Sequence, residues 1–401
     1  MSSRTARPAK PSFNWVSWLQ FLGSAFGAVG FLSIGVSSLA YVVLQPILQP
    51  TASPEWDMLL TATAALWAGV LLLPSAALSL AHLFNKPVRH FKLDPRLAVL
   101  AFVVLPLAIL AGGWLLESEL HIALPPVHIL AASLSVGGLV WISLRRLQLG
   151  GPRLTWGAFA SGLTAAPFVA IVLELLVGFV LVVIGAFYVL STPSLASQIP
   201  HIETAMSGIE NGEQLLELLH DFFNDPFILG LLLLDLSLFT PLIEELFKPI
   251  ALWILIWRRP ITNAQGFAIG VLGGAGFALM ENLFAGSVLD WASTTTVRLG
   301  ATAFHIATAG LMGWAIARAK NEAKVLNVFL VYGFNILLHG LWNGIVVLQS
   351  FTPALLHGRE ITAWLILLGI GTLCLYILLL MNYRLRPPHN PPPQRKPTAK
   401  P

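Results

Sequence analysis

Three carboxylates and two imidazoles stand in stretches of this chain that are otherwise apolar enough to cross a membrane. Pro241-Leu-Ile-Glu244-Glu245-Leu-Phe-Lys248-Pro249 sets adjacent acids about one helical turn from a lysine, so Glu244 and Lys248 share a face. Gly273-Gly-Ala-Gly-Phe277-Ala-Leu-Met-Glu281-Asn282 continues a face of Gly266, Gly270, Gly274 and Phe277 that ends on an acid and permits close helix approach. His305 lies on a stripe with Ala301, Ala309 and Gly313, while Asn335, His339 and Asn343 recur every fourth residue. An ionisable group at bilayer depth costs at least about 2.5 to 3.5 kcal/mol, so each implies a partner or a task. Taken singly, Glu244 with Lys248 reads as a neutralising pair, His305 as a satisfied core histidine and Asn343 as an amide joining two helices. Taken together, three carboxylates against one lysine leave excess negative charge that calls for protons, a cation or histidine. Such a carboxylate can act as general base toward water, with a histidine sharing the proton and an amide and imidazole stabilising an oxyanion. Those parts suit hydrolysis of a peptide bond. Other intramembrane chemistries lack their parts: the chain has no His-Glu-x-x-His or Gly-x-Gly-Asp motif and no convincing serine-histidine pair, and the single Cys374 lies apart from the cluster.

The elements that must position these groups follow from composition. Of 401 residues, 56% are hydrophobic and 10% charged, whereas soluble domains carry about a quarter charged residues. The pattern predicts an all-α polytopic membrane protein with spans near 18–44, 57–84, 97–116, 128–144, 156–190, 226–257, 265–289, 299–319, 325–349 and 362–383. The first run is too long for a signal-peptide core of about 7 to 15 residues and reads as a retained span. Lysines and arginines cluster in alternate connections, at Lys86 to Arg96, Arg145 to Arg153, Arg258 and Arg259, and Arg318 to Lys324. The other connections carry Arg298 and Arg359 alone, and the longest is acidic. This positive-inside bias predicts a cell-membrane protein with both termini cytoplasmic, and makes the net charge of +4 a topology signal without a nucleic-acid partner. The bilayer is its implied surrounding. Ile209, Leu215, Leu216, Leu219 and Phe222 predict an amphipathic surface helix in the acidic connection. The expected organisation is a cytoplasmic segment (1–17), a four-helix region (18–150), a domain carrying the cluster (151–350), a last membrane helix (351–383) and a disordered basic proline-rich tail (384–401).

Counting from the end of each span nearest the basic connections puts the cluster at one level. Glu244, Glu245, His305 and His339 lie about thirteen or fourteen residues in and Glu281 about sixteen, a spread of roughly 6 Å in depth. Spans six to nine therefore form the expected catalytic bundle. Glu174 and Asp235, nearer the opposite side, read as structural or gating acids. A proton- or cation-coupled transporter would use the same groups as a relay, but its paired halves find no counterpart in spans one to four. A scaffold without activity would have little use for the full set.

Glu244-Glu245-x-x-Lys248, Phe277-x-x-x-Glu281-Asn282, His305 and His339-x-x-Trp342-Asn343 resemble, in order and spacing, the PrsW family of intramembrane proteases over residues 160–350. They are also similar to the wider group of CAAX-processing and bacteriocin-processing membrane proteases. The resemblance implies a protease domain over 151–350, with Glu244 as the base that activates water, Glu245 beside it, and Glu281 where CAAX-processing relatives often have histidine. It implies that His305 is a third essential position and that His339 and Asn343 stabilise an oxyanion or position water. Lys248, Phe277, Asn282 and Trp342 are implied supporting residues. The implied mechanism is a glutamic one without a cofactor. The family has also been described as metalloproteases, which gives a zinc alternative on Glu244, Glu281, His305 and His339. The implied substrate is a single-pass membrane protein such as an anti-sigma factor.

Overall fold

The computed structural model describes residues 14–48, 55–88, 95–118, 120–206, 214, 218–285, 291–352 and 357–387. Among them there are no strands, and ten helical stretches are long and apolar enough to cross a membrane. The first four are Trp15–Leu48 (α1), Trp56–Leu83 (α2), Pro95–Glu117 (α3) and Leu124–Leu144 (α4). The fifth, expected as one helix, is two: Pro152–Leu163 (α5) and Ala165–Ser191 (α6), parted at Thr164, whose φ of −128° and ψ of −69° leave the helical path. Three short helices follow, Pro193–Ala196 (α7), Ile199–Met206 (α8) and His220–Asn224 (α9). The expected amphipathic helix over 209–222 lies mostly outside the described residues, as do most of the N-terminal segment and of the basic tail.

The sixth stretch is broken where its prolines require it. It runs as Pro226–Leu234 (α10), a five-residue π turn over Asp235–Phe239, Thr240–Phe247 (α11) and Ile250–Leu255 (α12). Asp225 starts it by accepting from the backbone N–H groups of Phe227 at 2.9 Å and Ile228 at 3.2 Å. Pro241 has no N–H to give the carbonyl four residues back, and its ring crowds that carbonyl, so the turn before it widens. Pro249 parts α11 from α12 in the same way.

The remaining helices are Asn263–Phe284 (α13), Trp291–Glu322 (α14), Leu326–Phe351 (α15) and Glu360–Leu385 (α16). Helix α14 begins eight residues before its expected start at 299. Arg298, expected in a connection, is therefore a helical residue. The apolar sequence that marks a span undercounts it here because the first turns of α14 are polar.

Helix α13 is buried almost from end to end, and its start is fixed by a capping box between Thr262 and Gln265. Lipid tails are as apolar as leucine, so close packing rather than apolar burial must hold such a helix. Gly270 lies against the Ala309 carbonyl of α14, and on the opposite face Gly162 of α5 lies against the Gly273 carbonyl, each too close to admit a Cβ. Gly270→Val is expected to destabilise the protein by about 1 to 3 kcal/mol or more. Gly369→Val in α16, where a Cβ meets nothing within 4 Å, is the matched control. Thermal melting of both variants in detergent checks this, and equal melting temperatures would refute the tight contact.

One histidine makes two of the bonds that join the N-terminal helices to this packing. The Trp291 indole N–H donates to His128 Nδ1 at 2.9 Å, so Nε2 carries the ring proton and donates to the Leu283 carbonyl at 3.1 Å. A continuous apolar core extends from Ala28 in α1 to Met381 in α16.

Candidate active site

The break at Pro249 and the close approach of α13 to α14 bring five of the six expected catalytic side chains together, four of them buried and Glu281 half-buried. Glu244 is 6% exposed, Glu245 and Lys248 not at all, His305 3% and His339 2%. Lys248 reaches back one turn to Glu245 Oε1 at 2.5 Å and Glu244 Oε2 at 3.2 Å. Its ammonium also lies 5.1 Å from the Phe277 ring centre and 5.2 Å from that of Phe304, so two aromatic faces hold the charge where water does not. Glu245 Oε1 lies 3.0 Å from His339 Nδ1 as well. A carboxylate bonded to both Lys248 and His339 is committed to holding the bundle together.

Glu244 differs from its neighbour. Its Oε2 pairs with the Lys248 charge at 3.2 Å without a well-aligned hydrogen bond, its approach to His339 Nε2 is a longer 3.8 Å, and Glu245 Oε2 is likewise buried without a hydrogen-bond partner. Glu281, from α13, uses Oε2 twice: Arg298 Nη2 and His305 Nε2 each lie at 2.7 Å. An imidazole bonded to a carboxylate through Nε2 carries its proton there in the neutral form, which leaves the buried, unpartnered Nδ1 of His305 as a free base. One oxygen or nitrogen from each of Glu244, Glu281 and His305 lies within 4.8 Å of the other two. The site therefore has a carboxylate tied closely to both Lys248 and His339, a carboxylate held more loosely by Lys248, and a carboxylate-imidazole pair facing the looser one.

Arg298 and Phe304 belong to this site and were not expected in it. Arg298 Nε also donates to Asn282 Oδ1 at 3.0 Å, and the Asn282 amide donates to Thr302 Oγ1 at 2.8 Å. Arg298 precedes His305 by two helical turns, so extending the polar face of α14 backward would have found it. Phe304 has no such signal. Its ring centre lies 4.9 Å from His305, 4.7 Å from His339 and 6.4 Å from Trp342, with which it is nearly parallel, so it spaces the imidazoles and accounts for Trp342. With Arg298 present, three carboxylates face two permanent cations, and the excess is a single negative charge.

Asn343 does other work in the structure. Its amide donates at 2.8 Å to the Leu236 carbonyl, which the π turn removes from regular helical bonding. Asn335 likewise donates to the Thr308 carbonyl at 2.9 Å, fastening α15 to α14. Glu174 and Asp235 sit on facing helices beyond the cluster, each with one buried oxygen that has no partner. His339 falls outside the group whose atoms converge within 4.8 Å, so a metal-holding set comprises Glu244, Glu281 and His305 rather than the four residues implied by resemblance.

Residues 213–379 match the family model described as PrsW family intramembrane metalloprotease, and this match supports an intramembrane peptidase. The matched region contains every residue of the cluster and extends through most of α16, beyond the 160–350 resemblance. No curated protein and no solved structure matches the chain.

Proposed function

We propose that the protein is an endopeptidase of the cell membrane that cleaves a single-pass membrane protein with water activated by Glu244. The observation that carries this reading is the convergence of Glu244, paired at 3.2 Å with Lys248, on the Glu281–His305 pair. A water molecule between them can give its proton to Glu244 as its oxygen attacks the scissile carbonyl. His305, oriented by Glu281, which Arg298 holds in turn, accepts from the attacking water through its unprotonated Nδ1. Proton return from Glu244 to the leaving amine completes the cycle, leaving one new carboxyl end and one new amine end. Lys248 and Arg298 keep the developing negative charge in the company of cations. The positive-inside bias supports cytoplasmic termini, and the resemblance supports an anti-sigma factor as substrate.

A second reading rests on the convergence of Glu244, Glu281 and His305. Three N/O donors fit a zinc ion that keeps an open position for water. Those residues would hold it, and bound zinc supplies a Lewis acid and a more acidic water. Ligands around tetrahedral zinc stand about 3.3 Å apart for bonds of about 2.0 Å, so the 2.7 Å Glu281–His305 hydrogen bond would have to open.

Cleavage of a labelled single-pass reporter by purified protein separates the two. We expect His305→Ala to remove cleavage and a zinc chelator to spare it. Loss on chelation that zinc restores would assign the metal mechanism instead. Absence of cleavage, together with pH-gradient-driven flux in proteoliposomes that Glu244→Gln abolishes, would replace the protease with a transporter.

A further inference from the structure

An apolar groove of about 320 Å³ lies away from the catalytic cluster, between α1, α5 and α12, with walls that include Leu19, Leu154, Ala158, Ile254 and Leu255. Two guanidinium groups, Arg153 and Arg259, line it, and among the described residues neither has a carboxylate within ion-pair distance. Arg153 gives one bond internally, from Nη1 to Ser17 Oγ at 2.7 Å, which leaves most of its five donors free. The next arginine, Arg258, lies over the Trp15 ring at 4.9 Å. Indoles of this kind favour the depth of lipid headgroups.

The walls exclude most occupants. An unwound peptide carries N–H and C=O groups that need partners all along its length, yet apart from the two guanidinium groups at one end the polar side chains of the walls are already bonded to the protein. Gln20 donates to Ser75 and the Arg153 carbonyl, Ser24 to Ser75, Ser161 to the Ala158 carbonyl and Thr164 to the Ala160 carbonyl. The segment before Asn14 carries Arg4, Arg7 and Lys10, of the same sign as the groove's own arginines. A hydrocarbon chain asks for no hydrogen bond, and a phosphate diester answers two unpaired guanidinium groups.

We propose that this groove holds one acyl chain of an anionic phospholipid whose phosphate is bound by Arg153 and Arg259. The test is native mass spectrometry of the full-length protein released from micelles holding equal dioleoyl-phosphatidylglycerol and dioleoyl-phosphatidylcholine. Wild type is expected to retain one phosphatidylglycerol with a preference of about thirtyfold, and Arg153→Gln/Arg259→Gln to lose that preference. Arg259→Gln alone, which breaks no internal bond, keeps the test if the double variant unfolds, and it should lower the preference severalfold. Gly23→Leu places a side chain in open space along the groove and should lower retention with both arginines intact. Glycerol phosphate, which has the headgroup charge and no chain, should not displace the lipid. Equal retention of the two lipids would overturn the proposal. Displacement by glycerol phosphate, or full retention by Gly23→Leu, would also overturn it by reducing the site to a surface charge patch.

Discussion

Glu244→Gln is expected to leave the protein folded while lowering single-turnover cleavage of a membrane reporter by about 10²- to 10⁴-fold, the usual contribution of a positioned general base. The amide is nearly the size of the carboxylate, and of the charged contacts it weakens only the 3.2 Å approach of Glu244 Oε2 to Lys248 and the 3.8 Å one to His339. Lys248 keeps its 2.5 Å contact with Glu245. The neighbouring Glu245→Gln makes the contrast, because Glu245 Oε1 meets both Lys248 and His339. That variant should lose thermal stability first and activity as a result. Melting temperature and cleavage rate measured on both variants separate the roles. If Glu244→Gln keeps more than a tenth of the wild-type rate, the water is activated elsewhere.

The division of labour between these adjacent acids was not legible in the sequence, where they differ only by position. The common depth of the cluster was legible, because residues counted from the basic end of each span at about 1.5 Å apiece fall at one level. The Gly266, Gly270 and Gly274 face likewise foretold the close approach of α13 to α14, since small residues are what lets two backbones meet in lipid. Arg298 was hidden because the polar first turns of α14 read as a connection, although Glu281 in an apolar span needed a cation as Glu245 needed Lys248. The turn that employs Asn343 was half visible: Pro241 announced a disturbance, but nothing local said which carbonyl would be freed or which side chain would answer it. The bond from His128 to Trp291 joins residues far apart in the chain, so no periodicity within one helix encodes it.

Lys248→Met is expected to lower stability by about 3 to 5 kcal/mol, the cost of removing one partner from a buried ion pair. Methionine fills most of the same volume between Phe277 and Phe304, so the loss is of charge rather than of packing. It leaves Glu245, fully buried, with His339 as its remaining partner. Neutralising that acid as well should reverse much of the penalty, so the double variant Lys248→Met/Glu245→Gln is expected to melt well above Lys248→Met. Thermal melting in one detergent, with wild type and both single variants, closes the cycle. A coupling near zero would mean that Lys248 is neutralised mainly through Glu244, in which case Lys248→Met would be rescued by Glu244→Gln instead. That outcome would also remove the distinction between a closely tied and a loosely held carboxylate on which the assignment of the base depends.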